Sequence, residues 1–153
     1  MRLILFLLLN FGALILGAFL MGDNPIENEW YQSLIKAPWT PPGWVFGFAW
    51  TLIMITYSFY LSHNFIKQPK HNWNTMIMLV LFQFILNVGW NPVFFAFHCM
   101  VFGCFLIIGL LGTLIYFELK YGNKGWLNRL LILPYILWLF IALSLNLYSV
   151  INN

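Results

Sequence analysis

Uncharged polar side chains and aromatic rings recur at helical spacing in three stretches of the chain. Phe46, Gly47, Trp50, Met54 and Tyr57 follow one another at three- and four-residue steps, so they share one side of a helix. Asn87, Trp90 and Phe94 repeat the pattern, and Pro134, Trp138, Ala142 and Asn146 repeat it at four-residue steps. Each face mixes an aromatic ring with a small residue or a carboxamide. That combination suits a flat apolar ligand, which needs rings to stack on, room beside them, and a few N–H donors to orient it. Conventional hydrolysis or group transfer has no support, because no acid–base pair, metal-ligand spacing or nucleophile triad is present. Cys99 and Cys104 lie outside any CxxC pattern and read as apolar filler.

Each of these residues also has a plainer role open to it. Asn inside a membrane helix often ties helices together, and Trp near a helix end often sits at the headgroup level. Asn87 is open to both uses, with Asn91 one turn later available as the tie. His63, His71 and His98 fall near helix ends, where haem-iron ligation is an alternative without a partner motif. Ala13 with Gly17, and Ala18 with Gly22, give small-residue spacing that permits close helix contact and allows a homodimer.

The elements that must carry these faces follow from composition. Of 153 residues, 62% are hydrophobic, 20% aromatic and only 7% charged, against about 25% charged in a soluble domain. The charges cluster, leaving charge-free runs at 3–22, 37–66, 71–117 and 130–153. A crossing needs roughly 20 apolar residues, so the runs hold one, one, two and one spans. The expected fold is all-α, a single membrane domain over 1–153 with spans near 3–22, 44–65, 73–96, 99–119 and 129–151. Asn91-Pro92 and Phe97-His98 compete as the break in the long run, and the second leaves both halves long enough to cross. The first run is longer than the roughly 7–15 residues of a signal-peptide core and reads as a retained helix. Disorder, a membrane β-barrel and nucleic-acid binding are excluded by the same composition, which lacks charge, alternation and basic clusters.

Basic residues orient the bundle. With five crossings, Arg2, Lys67, Lys70, Lys120, Lys124 and Arg129 share one side and only Lys36 lies on the other. Lys and Arg favour the cytoplasmic side, so the N-terminus is expected inside and the C-terminus outside. No span carries a charge except near an end, as with Glu118, which argues against an ion pump or channel. The 23–43 segment is the one long connector. Pro38, Pro41, Pro42 and Gly43 give it a stiff path, while Trp30, Tyr31 and Trp39 suit the headgroup boundary. It reads either as an aromatic belt with a proline turn or as a lid over the outer mouth.

These blocks resemble the tryptophan-rich sensory protein family, also called translocator proteins or peripheral-type benzodiazepine receptors. Trp30-Tyr31, Leu34, Pro38-Trp39, Pro41-Pro42, Phe46-Gly47 and Trp50 look like the family's first-loop and second-helix signature. Leu86-Asn87, Trp90 and Phe94-Phe95 look like that of its third helix, and Pro134-Tyr135, Trp138, Ala142 and Leu145-Asn146 like that of its fifth. The resemblance spans nearly the whole chain. It implies a five-helix bundle, often a homodimer, with a pocket beneath the first loop that takes porphyrins, haem-related compounds and isoquinoline carboxamides. The positions of Trp50, Asn87, Trp138 and Ala142 are then pocket residues, with Trp50 and Trp138 implicated in light-driven porphyrin breakdown. Tyr31, Trp39, Pro41 and Pro42 would close the mouth, and Phe46, Gly47, Trp90, Phe94 and Tyr135 complete the lining.

The same resemblance implies a tetrapyrrole sensor or carrier in the lipid bilayer, with no further cofactor and no metal. A porphyrin-degrading activity and a structural modulator of other membrane proteins are its rivals. The cholesterol motif of animal members, Leu/Val then Tyr then Lys/Arg, fails at the C-terminus: Leu147-Tyr148 is followed by Ser149-Val150-Ile151-Asn152-Asn153. Leu114, Tyr116 and Lys120 fit the pattern elsewhere, but that motif is weak by itself. High-affinity sterol binding is therefore not expected, and a bacterial inner membrane is the expected location.

Overall fold

The computed structural model describes residues 1–153 and contains no strand. Five helices are long and apolar enough to cross a membrane: α1 (Arg2–Leu20), α3 (Gly43–Lys67), α4 (Trp73–Asn91), α5 (Met100–Tyr121) and α6 (Trp126–Asn152). The remaining helix, α2 (Glu29–Ser33), lies within the long connector. A 3₁₀ turn, Lys70–Asn72, leads into α4, and a π-helical stretch, Pro92–Ala96, prolongs it to a 27-residue apolar rod. At 1.5 Å per residue that rod is about 40 Å long, ample for the hydrocarbon core.

Pro92 therefore widens the helix rather than ending it. Proline has no N–H to give the ladder, and the register shifts so that the Phe97 N–H reaches the Pro92 carbonyl at 2.9 Å. The chain reverses at His98, whose φ of 57° lies in the left-handed region that His enters more readily than most residues. At the other end of the sequence, α1 stops at Leu20 and Gly22 turns with φ of 80°, so Gly22 stands beyond the helix.

Neighbouring helices form a closed ring in the order α1, α4, α5, α6, α3 and back to α1. Its outer face is apolar, with Leu8, Phe19, Phe105, Leu119 and Leu137 all exposed to the surroundings. Lipid tails solvate such residues as well as protein does, so apolar burial does not hold the helices together. Polar contacts and close packing do. Asn10 Nδ2 donates to Ser58 Oγ at 2.8 Å between α1 and α3, and Tyr57 Oη donates to Gln83 Oε1 between α3 and α4. Towards the opposite end Tyr60 Oη donates to Glu118 Oε2 at 2.7 Å, and Asn64 Nδ2 donates to Asn128 Oδ1 at 2.9 Å. Asn64 Oδ1 also accepts the Asn123 N–H at 2.8 Å, which anchors the short α5–α6 connection.

The small residues of α1 are used inside the chain. Ala13 is buried, and a Cβ added at Gly17 would sit 2.6 Å from Asn91 Nδ2 on α4. The close helix contact that this spacing permits is therefore made within the chain at Gly17, which admits α4. Gly17→Leu is expected to cost about 1–3 kcal/mol of stability by overpacking. Gly12→Leu, where nothing lies within 4 Å, is expected to gain up to about 1 kcal/mol from helix propensity. Thermal unfolding of both variants in detergent checks the contrast, and equal behaviour would refute the contact.

Candidate functional site

The ring is covered at one end by the 23–42 segment. This strap leaves α1, passes over the end of α4, reaches the end of α6, and only then enters α3 at Gly43. It is fastened in two places. Asn28 caps α2 by accepting the Tyr31 N–H at 2.8 Å, and its Nδ2 reaches the Phe95 carbonyl at 3.4 Å. Beside it Trp30 stacks on His98 at 4.1 Å, while Tyr31 meets Phe95 edge-on at 5.2 Å. The second fastening is on α6. Trp39 Nε1 donates to Ser144 Oγ at 3.2 Å, its ring meets Tyr148 at 5.3 Å, and Asn153 Oδ1 accepts the Ile35 N–H at 2.9 Å. Burial pushes the Tyr31 hydroxyl pKa up, so this residue is a neutral phenol at physiological pH.

Beneath the strap two aromatic walls face each other. On the α3–α6 side Phe46 meets Trp138 edge-on at 5.3 Å, and Trp50 meets Tyr135 edge-on at 6.0 Å. Ala142, one turn beyond Trp138, packs half-buried against the same core. On the α4 side Trp90 stacks on Phe94 at 5.2 Å, with Phe95 across its edge. Gly103 on α5 lets this wall approach α6, since a Cβ there would lie 3.4 Å from Trp90 Nε1 and 2.9 Å from Asn146 Nδ2.

At mid-bundle, among α1, α3, α4 and α6, lies a void of about 10 Å³ whose polar lining comes from Asn10, Tyr57, Gln83, Asn87 and Tyr135. That is room for about one water molecule. Two buried N–H donors find no partner: Gln83 Nε2, whose residue lines this void, and Trp90 Nε1, which lies beside Gly103 on α5. Both belong to one stripe of α4, Gln83, Asn87, Trp90 and Phe94, which faces the interior. An unpaired buried donor costs about 1–3 kcal/mol, so this stripe holds hydrogen-bonding capacity that the protein itself does not use.

The interior is closed in this state. Drug-sized ligands occupy roughly 300–1,000 Å³, far more than the void, so an occupant must part the walls and lift the strap. A larger depression of about 450 Å³ opens at the rim of α5, lined by His98, Met100, Phe102, Phe105 and Val150. It faces outward, touches neither aromatic wall, and holds none of the unpaired donors.

A family model, that of the TspO/MBR family, matches residues 4–151, which takes in the strap and all five crossing helices. The chain belongs to that family. It is 32% identical over 125 residues to the tryptophan-rich protein TspO of Archaeoglobus fulgidus, covering 78% of this chain and 76% of the relative. Identity to protein CrtK of Rhodobacter capsulatus is 29% over 122 residues, covering 78% and 75%. Identity to the human translocator protein is 27% over 136 residues, covering 86% and 80%.

Within this TspO/MBR chain the thirteen residues picked out from the sequence divide into groups. Phe46, Trp50, Tyr135, Trp138 and Ala142 stand together on the α3–α6 wall, and Trp90 and Phe94 stand on α4. Asn87 lines the void beside Gln83, while Asn91 Nδ2 returns to the Asn87 carbonyl at 3.3 Å and presses on Gly17. Asn91 thus packs against α1 while its hydrogen bond stays within α4. Tyr31 and Trp39 belong to the strap, with Pro41 half-buried and Pro42 exposed just before α3. Gly47 is not brought to the site, because it is exposed on the outer side of α3 with nothing near its missing Cβ. Sequence reasoning passed over Gln83 and Asn10. The spacing of Gln83, one turn before Asn87, was the available signal for the first.

Proposed function

We propose that this protein is a multi-pass membrane binder of flat tetrapyrroles, a porphyrin or haem-related compound, acting as sensor or carrier. The observation that carries this reading is the pair of unpaired buried donors, Gln83 Nε2 and Trp90 Nε1, on the α4 stripe that also carries one of two aromatic walls. Indole and phenyl rings supply stacking surface, and a ligand acceptor would satisfy a donor that is otherwise costly to bury. The strap supplies the closure. Isoquinoline carboxamides, flat and with one carbonyl acceptor, belong to the same chemical class of occupant. In this reading the protein sits in the inner cell membrane as a homodimer, needs no metal, and has no high-affinity sterol site.

Titration of the purified protein with protoporphyrin IX in darkness tests the proposal. A saturable shift of the porphyrin absorption band is the expected result. Its absence would overturn tetrapyrrole binding and favour a structural modulator of other membrane proteins.

Orientation has its own test. The six basic residues outside the strap lie at the end opposite to it, which the positive-inside rule makes cytoplasmic. Single cysteines at exposed Glu29 and Lys124, in a background lacking Cys99 and Cys104, are expected to label from opposite sides of intact cells. Glu29 reacts with an impermeant reagent and Lys124 does not; the reverse pattern would overturn the orientation.

A second reading, light-driven oxidation of the bound porphyrin, is favoured by two linked contacts. Trp50, an oxidisable ring on the wall, meets Tyr135, and Tyr135 meets Tyr57 at 5.2 Å.

A further inference from the structure

Beyond the two walls, aromatic contacts continue across the bundle in one direction. The centroid separations are 6.0 Å from Trp50 to Tyr135, 5.2 Å from Tyr135 to Tyr57 and 5.7 Å from Tyr57 to Tyr60. All four are readily oxidised rings, and the three tyrosines are buried. Their hydroxyls differ in one respect. Tyr57 donates to the Gln83 carboxamide, which is not a base at physiological pH, and Tyr135 makes no hydrogen bond through its hydroxyl. Tyr60 alone donates to a carboxylate, Glu118 Oε2, at 2.7 Å. The other donor to that oxygen is the neutral Asn128 Nδ2, at 3.1 Å, which fixes the carboxylate in place.

From this arrangement we infer that the protein contains a proton-coupled relay, in which an oxidising equivalent formed at Trp50 comes to rest on Tyr60 as a neutral phenoxyl radical. The inference rests on the light-driven reading above. A light-excited porphyrin takes one electron from the Trp50 indole, and dioxygen removes that electron from the porphyrin radical anion as superoxide. Tyr135, Tyr57 and Tyr60 in turn each pass one electron towards Trp50. At Tyr60 the O–H bond breaks: the electron fills the hole, and the proton goes to Glu118 Oε2. The sum is dioxygen, a Tyr60 phenol and a Glu118 carboxylate giving superoxide, a Tyr60 phenoxyl and a Glu118 carboxylic acid. Charge and atoms balance. An oxidised phenol is a strong acid, so the hole settles where a base is already hydrogen-bonded, and among these rings that is Tyr60. The relay thus moves the oxidising equivalent away from the tetrapyrrole towards the end opposite the strap.

Electron paramagnetic resonance of the protein–protoporphyrin IX complex, frozen under illumination in air-equilibrated buffer, tests this. The expected signal is a tyrosyl radical, identified because ring-deuterated tyrosine narrows it and deuterated tryptophan does not. Tyr60→Phe abolishes it. Glu118→Gln, whose amide still accepts a hydrogen bond but takes no proton, diminishes it while leaving dark porphyrin binding intact. A signal that follows the tryptophan label, a tyrosyl signal unchanged in either variant, or dark binding with no protein radical in light would each overturn the relay.

Absence of dark binding would instead overturn the porphyrin reading. The relay is then decided by a ruthenium polypyridyl photo-oxidant with an external electron acceptor, coupled to exposed Cys99, since Cys104 is buried. A radical on Tyr60 upholds the relay without porphyrin, and a radical elsewhere removes it.

Discussion

Porphyrin affinity is expected to fall roughly 5- to 150-fold when Ala142 is replaced by leucine, from an overpacking cost of about 1–3 kcal/mol at 1.4 kcal/mol per decade. Ala142 lies on α6 one turn beyond Trp138, on the wall where Phe46 and Trp138 meet edge-on. Ala142 is half-buried in the free protein, so the added branch is expected to turn away and stability without ligand to change little. A ligand parting the walls needs that space, and the cost then falls on the complex. Dark titrations with protoporphyrin IX and with an isoquinoline carboxamide, alongside thermal unfolding of the free protein, measure the two terms separately. Unchanged affinity for both ligands would remove the α3–α6 wall from the site.

Light-driven porphyrin loss is expected to fall to the rate in protein-free detergent in Trp50→Phe and Trp138→Phe, while each variant keeps much of its dark binding. Stacking needs only a flat aromatic ring, so phenylalanine partly replaces tryptophan as a wall. Electron donation does not survive the exchange, because a phenyl ring is far harder to oxidise than an indole. Trp50 is the ring in contact with Tyr135, whereas Trp138 contacts the inert Phe46. Loss of Trp50 therefore also removes the tyrosyl signal, and loss of Trp138 lowers it. Equal bleaching in wild type, both variants and detergent would eliminate the photochemical reading and leave binding standing.

Five crossings and an all-helical chain were legible because the eleven charges fall between the apolar runs and nowhere else. The turn at Phe97–Cys99 accords with the same length argument, since a break there leaves both halves of the long run able to cross. The site was legible by residue type, and less so by direction. Phe46 and Gly47 are adjacent in sequence and in the family pattern, yet Phe46 reaches Trp138 while Gly47 faces outward. Ala13 and Gly17 carried a small-residue signal that named no partner, and at Gly17 the neighbour is Asn91 of the same chain. Gln83 drew no notice beside Asn87 because one carboxamide in a helix does not reveal whether its donors will be met.

The sequence by itself determined the solvent of this protein, the number of its crossings, the one connector long enough to strap the bundle, and the family. These are properties of composition and order along the chain, and the roughly 30 Å hydrocarbon core reads them directly. Only the tertiary structure decided which side of each helix faces inward. In water an apolar stripe marks the buried face, but in lipid both faces are apolar and the 3.6-residue period loses that meaning. Rotation of each helix is then set by the few polar and small residues that find partners in the ring order α1, α4, α5, α6, α3. That rotation leaves Gln83 and Trp90 of α4 with unused donors, and it sets Tyr60 against Glu118.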